Sequence, residues 1–129
     1  MKNNRRLFLS QILALGTAPA TLLGKKNSFK VGVIGSTGRG NYGHGLDIAW
    51  RNVADAQVVA VADDHHRGRS SALKRLGCKK GYQDYRKMLQ TEKPDFISIC
   101  PRHADQRVPM IEAACEFGVK GIYVEKPFA

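Results

Sequence analysis

The chain has 129 residues, 43% hydrophobic and 25% charged, with a formal net charge of +10: room for one domain with a modest core and an ordinary globular composition. The basic residues come in scattered pairs (Lys25-Lys26, Lys74-Arg75, Lys79-Lys80, Arg86-Lys87). No run reaches the about five like charges of a nucleic-acid arm, so the charge implies general attraction to anions and argues against a nucleic-acid partner. The three cysteines, Cys78, Cys100 and Cys115, are an odd number and fit no zinc or C-x-x-C spacing; they read as buried thiols rather than a disulfide framework.

In chain order, residues 1–24 come first. A positive start (Lys2, Arg5, Arg6), a short apolar middle and an A-x-A site at Ala18–Ala20 are the three parts of an export signal. The apolar stretch is too short and broken to span a bilayer, so no stable membrane anchor is expected. Arg5-Arg6-Leu7-Phe8-Leu9 is similar to the twin-arginine pattern R-R-x-F-L, with Asn4 and Ser10 departing from its usual flanks. The expectation is export to the periplasm or another extracytoplasmic space; the alternative is a basic helix opening a cytoplasmic protein.

Residues 25–28 are a polar lead-in. Phe29–Ile34 predict a strand, Gly35–Gly40 a tight turn, and the spacing of Leu46, Ile48, Ala49, Trp50 and Val53 a helix with one apolar face. Gln57–Ala62 read as a strand covered on both faces. Ser70–Leu76 predict a short helix stopped by Gly77, and Cys78–Tyr82 hold a brief strand. Asp84 can cap a helix carrying Tyr85, Met88 and Leu89. Phe96–Cys100 is a fourth strand. A helix opens at Ala104 or Asp105 and ends at Gly118, with Pro109 in its first turn, where a missing N–H costs little. Gly121–Val124 is the fifth strand. Strands alternating with helices predict an α/β domain, a Rossmann-type doubly wound parallel sheet over residues 28–129.

Ligands of such a sheet collect at the carboxyl ends of its strands. There the sequence puts Gly35-Ser36-Thr37-Gly38-Arg39-Gly40, Asp63-Asp64, Cys100-Pro101-Arg102-His103 and Glu125-Lys126-Pro127. A glycine turn leading into a helix N-terminus suits the pyrophosphate of a dinucleotide. Thr37 stands where the G-x-G-x-x-G fingerprint has its middle glycine, and its hydroxyl could donate to a phosphate oxygen. Asp63 can accept from both adenosine ribose hydroxyls and repel a 2′-phosphate, which favours NAD with NADP as the alternative; otherwise Asp63-Asp64 simply opens a loop. His103 is placed to touch the nicotinamide ribose or a phosphate, or is a solvated loop residue. Lys126 is the candidate for proton transfer, its pKa lowered by burial and a nearby cationic nicotinamide. Pro127 fixes the turn as a candidate cis proline. No metal constellation is found, and without G-x-x-x-x-G-K there is no P-loop.

On VGVIGSTGRG, VVAVADD, DFISICPRHADQ and above all GIYVEKPFA, the chain from Lys30 to Ala129 resembles the Gfo/Idh/MocA oxidoreductase family. The resemblance implies an NAD(P)-dependent enzyme acting on sugars, polyols or related alcohols. It implies a cofactor loop at Gly35–Gly40, a ribose carboxylate at Asp63, Glu125 beside the cofactor, and Lys126 assisting proton transfer and contacting substrate. Arg102 and Asp105 depart from the Asn and His the family often shows after Pro101. The resemblance also implies a second α/β domain with an open antiparallel sheet, which these 129 residues do not include. The chain by itself is therefore expected to hold a dinucleotide without turnover, with a carbohydrate-like substrate and a homo-oligomer expected of a full-length form. A glycosidase of the same family with tightly held NAD, and a non-catalytic dinucleotide-binding module, are the alternatives.

Overall fold

The computed structural model describes residues 28–127 of the chain; the export-signal reading of residues 1–24 falls outside them. Five parallel strands form one sheet: β1 (Phe29–Ile34), β2 (Ala56–Ala62), β3 (Lys80–Tyr82), β4 (Phe96–Ile99) and β5 (Gly121–Val124). Their order is β3-β2-β1-β4-β5. Three helices connect them: α1 (His66–Leu76), α2 (Tyr85–Glu92) and α3 (Ala104–Glu116). The order reverses direction at β1, so crossovers of one hand put α2 and α3 on one face and α1 on the other. The predicted doubly wound parallel sheet is the one observed.

Residue alternation along the strands feeds two cores. Ile34, Ala60, Ala62, Ile97 and Ile99 meet Met88 and Leu89 of α2 and Met110, Ala113 and Ala114 of α3. Val33, Val61 and Cys100 meet Ala72 of α1 together with Tyr42 and Leu46. Both faces are covered, which is why the strands read as near-continuous apolar runs. Asp84 caps α2 by accepting from the Arg86 amide at 2.8 Å, and α1 ends on Gly77 in the left-handed region at φ 65°.

Several expectations are corrected. No α-helix follows the glycine turn: residues 42–48 are turns and only Ala49–Asn52 form a 3₁₀ helix. Gly40, Asn41, Gly43 and Gly45 all have positive φ, and such a backbone cannot propagate a right-handed helix. Helix α1 starts at His66 rather than Ser70, because His65 caps it through its ring, which accepts from the Gly68 amide at 3.2 Å. Pro109 sits in the second turn of α3, past the positions whose N–H is free. The third strand is shorter than predicted, and β4 ends before Cys100. Cys78 and Cys100 are buried, but Cys115 is exposed on the outer side of α3.

Candidate functional site

The carboxyl ends of β1, β2, β4 and β5 lie along one sheet edge, so the four predicted residue groups come together there. At β1 the chain turns through Gly35–Gly40 and closes on itself. Ser36 and Asn41 pair in an antiparallel bridge, with Ser36 N on Asn41 O at 3.0 Å and the return bond at 2.9 Å. The Arg39 amide donates to Ser36 O, and the Gly38 amide to the Asn41 side chain. Gly35 donates to Ala62 O and leaves no room for a Cβ beside the Tyr42 ring. The predicted helix N-terminus is absent from this turn, since no α-helix follows it, and the amides of Gly35, Ser36, Gly38 and Arg39 are bonded within the protein. Positive charge comes instead from Arg39, whose guanidinium is half exposed and paired with Asp105, and from exposed Arg102 beside Gly40.

Thr37 explains its own place in the fingerprint. Its φ is not positive, so glycine is not required there. Its hydroxyl donates to Asp63 Oδ2 at 2.6 Å, not outward to a phosphate. Asp63, 2% exposed, also accepts from the Tyr42 hydroxyl at 2.9 Å, the His65 amide at 3.0 Å and the Thr37 amide at 3.4 Å. Sequence reasoning aimed this carboxylate at a ribose; in the structure it is the hub of the glycine turn and also lines the cleft between β1 and β2. Gly68 of α1 packs so tightly on this hub that a Cβ there would fall on the Thr37 hydroxyl. Gly68→Ala should thus destabilise the domain by about 1–3 kcal/mol through overpacking, despite the gain of about 1 kcal/mol in helix propensity. Urea denaturation checks the sign.

Burial raises the Asp63 pKa, but the bonds from Thr37, His65 and Tyr42 more than offset it, and the net position is below the ordinary aspartate value. Burial raises Glu125 likewise, and the His44 amide and ring and the Lys126 amide bring it below the ordinary glutamate value. Groups depressed on folding contribute stability that is complete above their unfolded pKa values, about 4, and lost as pH falls through the folded ones. The urea midpoint should hold between neutrality and about pH 5, then fall steadily on further acidification. A midpoint flat down to pH 3 would contradict this ion placement.

Between β1, β2 and the N-terminal ends of α2 and α3 lies a cleft of about 460 Å³. Ile34, Ala62, Tyr85 and Met110 supply apolar walls; Ser36, Asp64, Gln83, Asp84 and Gln106 supply the polar lining. Gln106 donates through Nε2 to Ser36 Oγ at 3.1 Å. Its Oε1 is buried without a partner, an acceptor waiting for a donor. A mostly apolar slot with a few polar groups, at the point where strand order reverses, fits the adenosine end of a dinucleotide. Gln83 and Gln106 were not picked out from the sequence, whereas Asp64 was placed at the β2 end without a role of its own.

At the β4 and β5 ends, Pro101 is buried and His103 is the exposed residue before α3, making no side-chain cap. Glu125, 3% exposed, accepts from the His44 amide at 2.8 Å, the Lys126 amide at 3.0 Å and pairs with His44 Nδ1 at 3.1 Å. Its carboxylate clamps the His44 loop to the β5 end. Buried Arg107 donates to the Glu125 carbonyl at 2.6 Å. Lys126 stands exposed at the edge, against the burial anticipated for it, and its bond to Pro127 is cis.

Comparison with known proteins adds lineage. The profile of the GFO_IDH_MocA family, described as an oxidoreductase family with an NAD-binding Rossmann fold, matches residues 29–129. The D-apiose dehydrogenase of Paraburkholderia graminis is 33% identical over 81 residues, which are 63% of this chain and 21% of that protein. The myo-inositol dehydrogenase of Lactobacillus casei, solved with NAD(H) and myo-inositol, superposes with a TM-score of 0.60 at 30% identity, covering 79% of this chain and 29% of that one. An oxidoreductase from Agrobacterium radiobacter, solved with NAD+, L-tartaric acid and magnesium, shares the fold with a TM-score of 0.66 at 23% identity, over 79% of this chain and 28% of that one. The chain thus spans less than a third of the length of these relatives. Among the described residues no helix is long and apolar enough to cross a membrane.

Proposed function

We propose that this chain, which belongs to the Gfo/Idh/MocA oxidoreductase family, forms the dinucleotide-binding part of an NAD(P)-dependent oxidoreductase acting on a sugar or polyol. The observation that carries the reading is the cleft at the strand-order reversal with the unpartnered Gln106 Oε1 in it. Gln106 and Asp64 would hold the adenosine, and Arg39 and Arg102 would balance the pyrophosphate charge. A nicotinamide dinucleotide supplies, when bound, a hydride acceptor for an alcohol carbon. Lys126, exposed at the β5 end, would donate to the substrate oxygen and so assist its loss of a proton. The named dehydrogenases of apiose and inositol among the relatives support a polyhydroxylated substrate. The leader-like residues 1–24 support export in the folded state.

NAD is favoured over NADP because Asp64, with buried Asp63 behind it, lines the cleft and would repel a 2′-phosphate held there. Calorimetric titration of the chain tests the proposal. Saturable NAD binding is expected, with NADP weaker by about tenfold or more, an added cost of about 1.4 kcal/mol. No binding of either nucleotide would overturn it.

A further inference from the structure

Arg39 and Asp105 are 66 positions apart, and parallel topology brings them together. Arg39 lies in the turn that leaves β1; Asp105 lies in the first turn of α3, the helix that leaves the neighbouring strand β4. Arg39 Nη2 donates to Asp105 Oδ2 at 2.9 Å. The next residue makes a second bond over the same gap, from Gln106 Nε2 to Ser36 Oγ at 3.1 Å. Both bonds span the crevice outside the β1 and β4 ends, where a sheet of this kind receives its ligand.

The Arg39–Asp105 pair differs from the other carboxylate contacts along this edge. Asp63 and Glu125 are 2% and 3% exposed and hold backbone amides, so the fold depends on them. The side chains of Arg39 and Asp105 are 48% and 66% exposed, and an ion pair so open to water adds little to stability. The bond from Arg39 holds the Asp105 carboxyl below the ordinary aspartate value, so it is charged at neutral pH. A phosphate offers a guanidinium more oxygens and more charge than a carboxylate bonded to a single nitrogen.

We infer that Asp105 is an internal stand-in for the phosphates of the dinucleotide: it occupies Arg39, and a phosphate must take the guanidinium from it. This rests on the proposed dinucleotide-binding reading. Asp105 then weakens binding twice. The bond to Arg39 is given up when the phosphate arrives, and the displaced carboxylate is left close to a like charge. Asp105 is thus an affinity-setting residue of the site, and its charge favours release of the dinucleotide.

The test is the substitution Asp105→Asn, which keeps the shape and an acceptor for Arg39 but removes the charge. It also takes a negative charge from the first turn of α3, where the helix favours one. A merely structural Asp105 therefore predicts binding that is weaker or unchanged in the variant, whereas a stand-in predicts tighter binding. Wild type, Asp105→Asn, Arg39→Gln and the double variant of the full chain are titrated at low salt, once with NAD and once with inorganic pyrophosphate. Asp105→Asn should tighten both ligands by about three- to tenfold, and most of that gain should vanish in the Arg39→Gln background. Unchanged or weaker binding overturns the inference. So does an equal gain with and without Arg39, which would make Asp105 a distant charge only. Pyrophosphate bound more tightly by Asp105→Asn while NAD is ignored supports the stand-in and counts against the proposed function. NAD bound equally by wild type and Asp105→Asn counts against Asp105 alone, and no binding of either probe to any variant overturns both.

Discussion

Asp63→Ala is expected to cost about 3–5 kcal/mol, a large part of the about 5–15 kcal/mol that holds an ordinary domain together. The carboxylate is 2% exposed and takes four protein donors. Removing it leaves the Tyr42 hydroxyl, the Thr37 hydroxyl and the His65 amide without their acceptor, each worth about 1–3 kcal/mol when buried. Tyr42 cannot swing to water, because its ring packs on Gly35 and the Arg75 guanidinium stacks on it, 4.8 Å from the centroid. Its hydroxyl pKa is raised by burial first and by the Asp63 charge second, so it remains a donor at neutral pH. Tyr42→Phe alone should cost about 1 kcal/mol, and close to nothing in the Asp63→Ala background. Chemical denaturation of the four variants measures this coupling. Additive costs would show that Tyr42 and Asp63 do not share the bond.

The second large effect is at Gly43. Alanine at φ 63° carries about 1–2 kcal/mol of left-handed strain. In addition, its Cβ would press on Glu125 Oε2 at 2.5 Å and on the Cys100 carbonyl at 3.0 Å. The loop must then move off Glu125 and give up both His44 bonds, for a total of about 3 kcal/mol or more. Gly45→Ala is the control. Its φ is 88°, but the nearest atoms to a Cβ are 3.5 Å away, so it should show the strain alone. Equal destabilisation of the two variants, measured by urea denaturation, would mean that the loop does not rest on Glu125.

The strands were legible because both sheet faces are covered, which makes each strand an apolar run. Helix α2 was legible because Asp84 caps it. Segment 41–52 was misread because Leu46, Ala49, Trp50 and Val53 imitate helical spacing. Glycines at positions 38, 40, 43 and 45 were the contrary signal, since each costs helix stability. The strand-end groups were found because parallel topology forces them to one edge. What each carboxylate does there was not legible. Asp63 reaches across 26 positions to Thr37, and Glu125 across 81 to His44, and no local pattern encodes partners at those distances. The cleft itself is built by pieces of β1, β2, α2 and α3, so its polar lining appears only after folding.

The central claim, that a dinucleotide lies along the carboxyl edge of this sheet with its adenosine in the Gln106 cleft, is tested most directly by amide NMR of the chain during NAD titration. The account predicts saturable shifts at Gly35–Gly40, Asp64, Gln83 and Gln106. Shifts confined to the opposite sheet edge, where Gln90, Lys93, Gly118 and Lys120 line a second cleft of about 420 Å³, would contradict it.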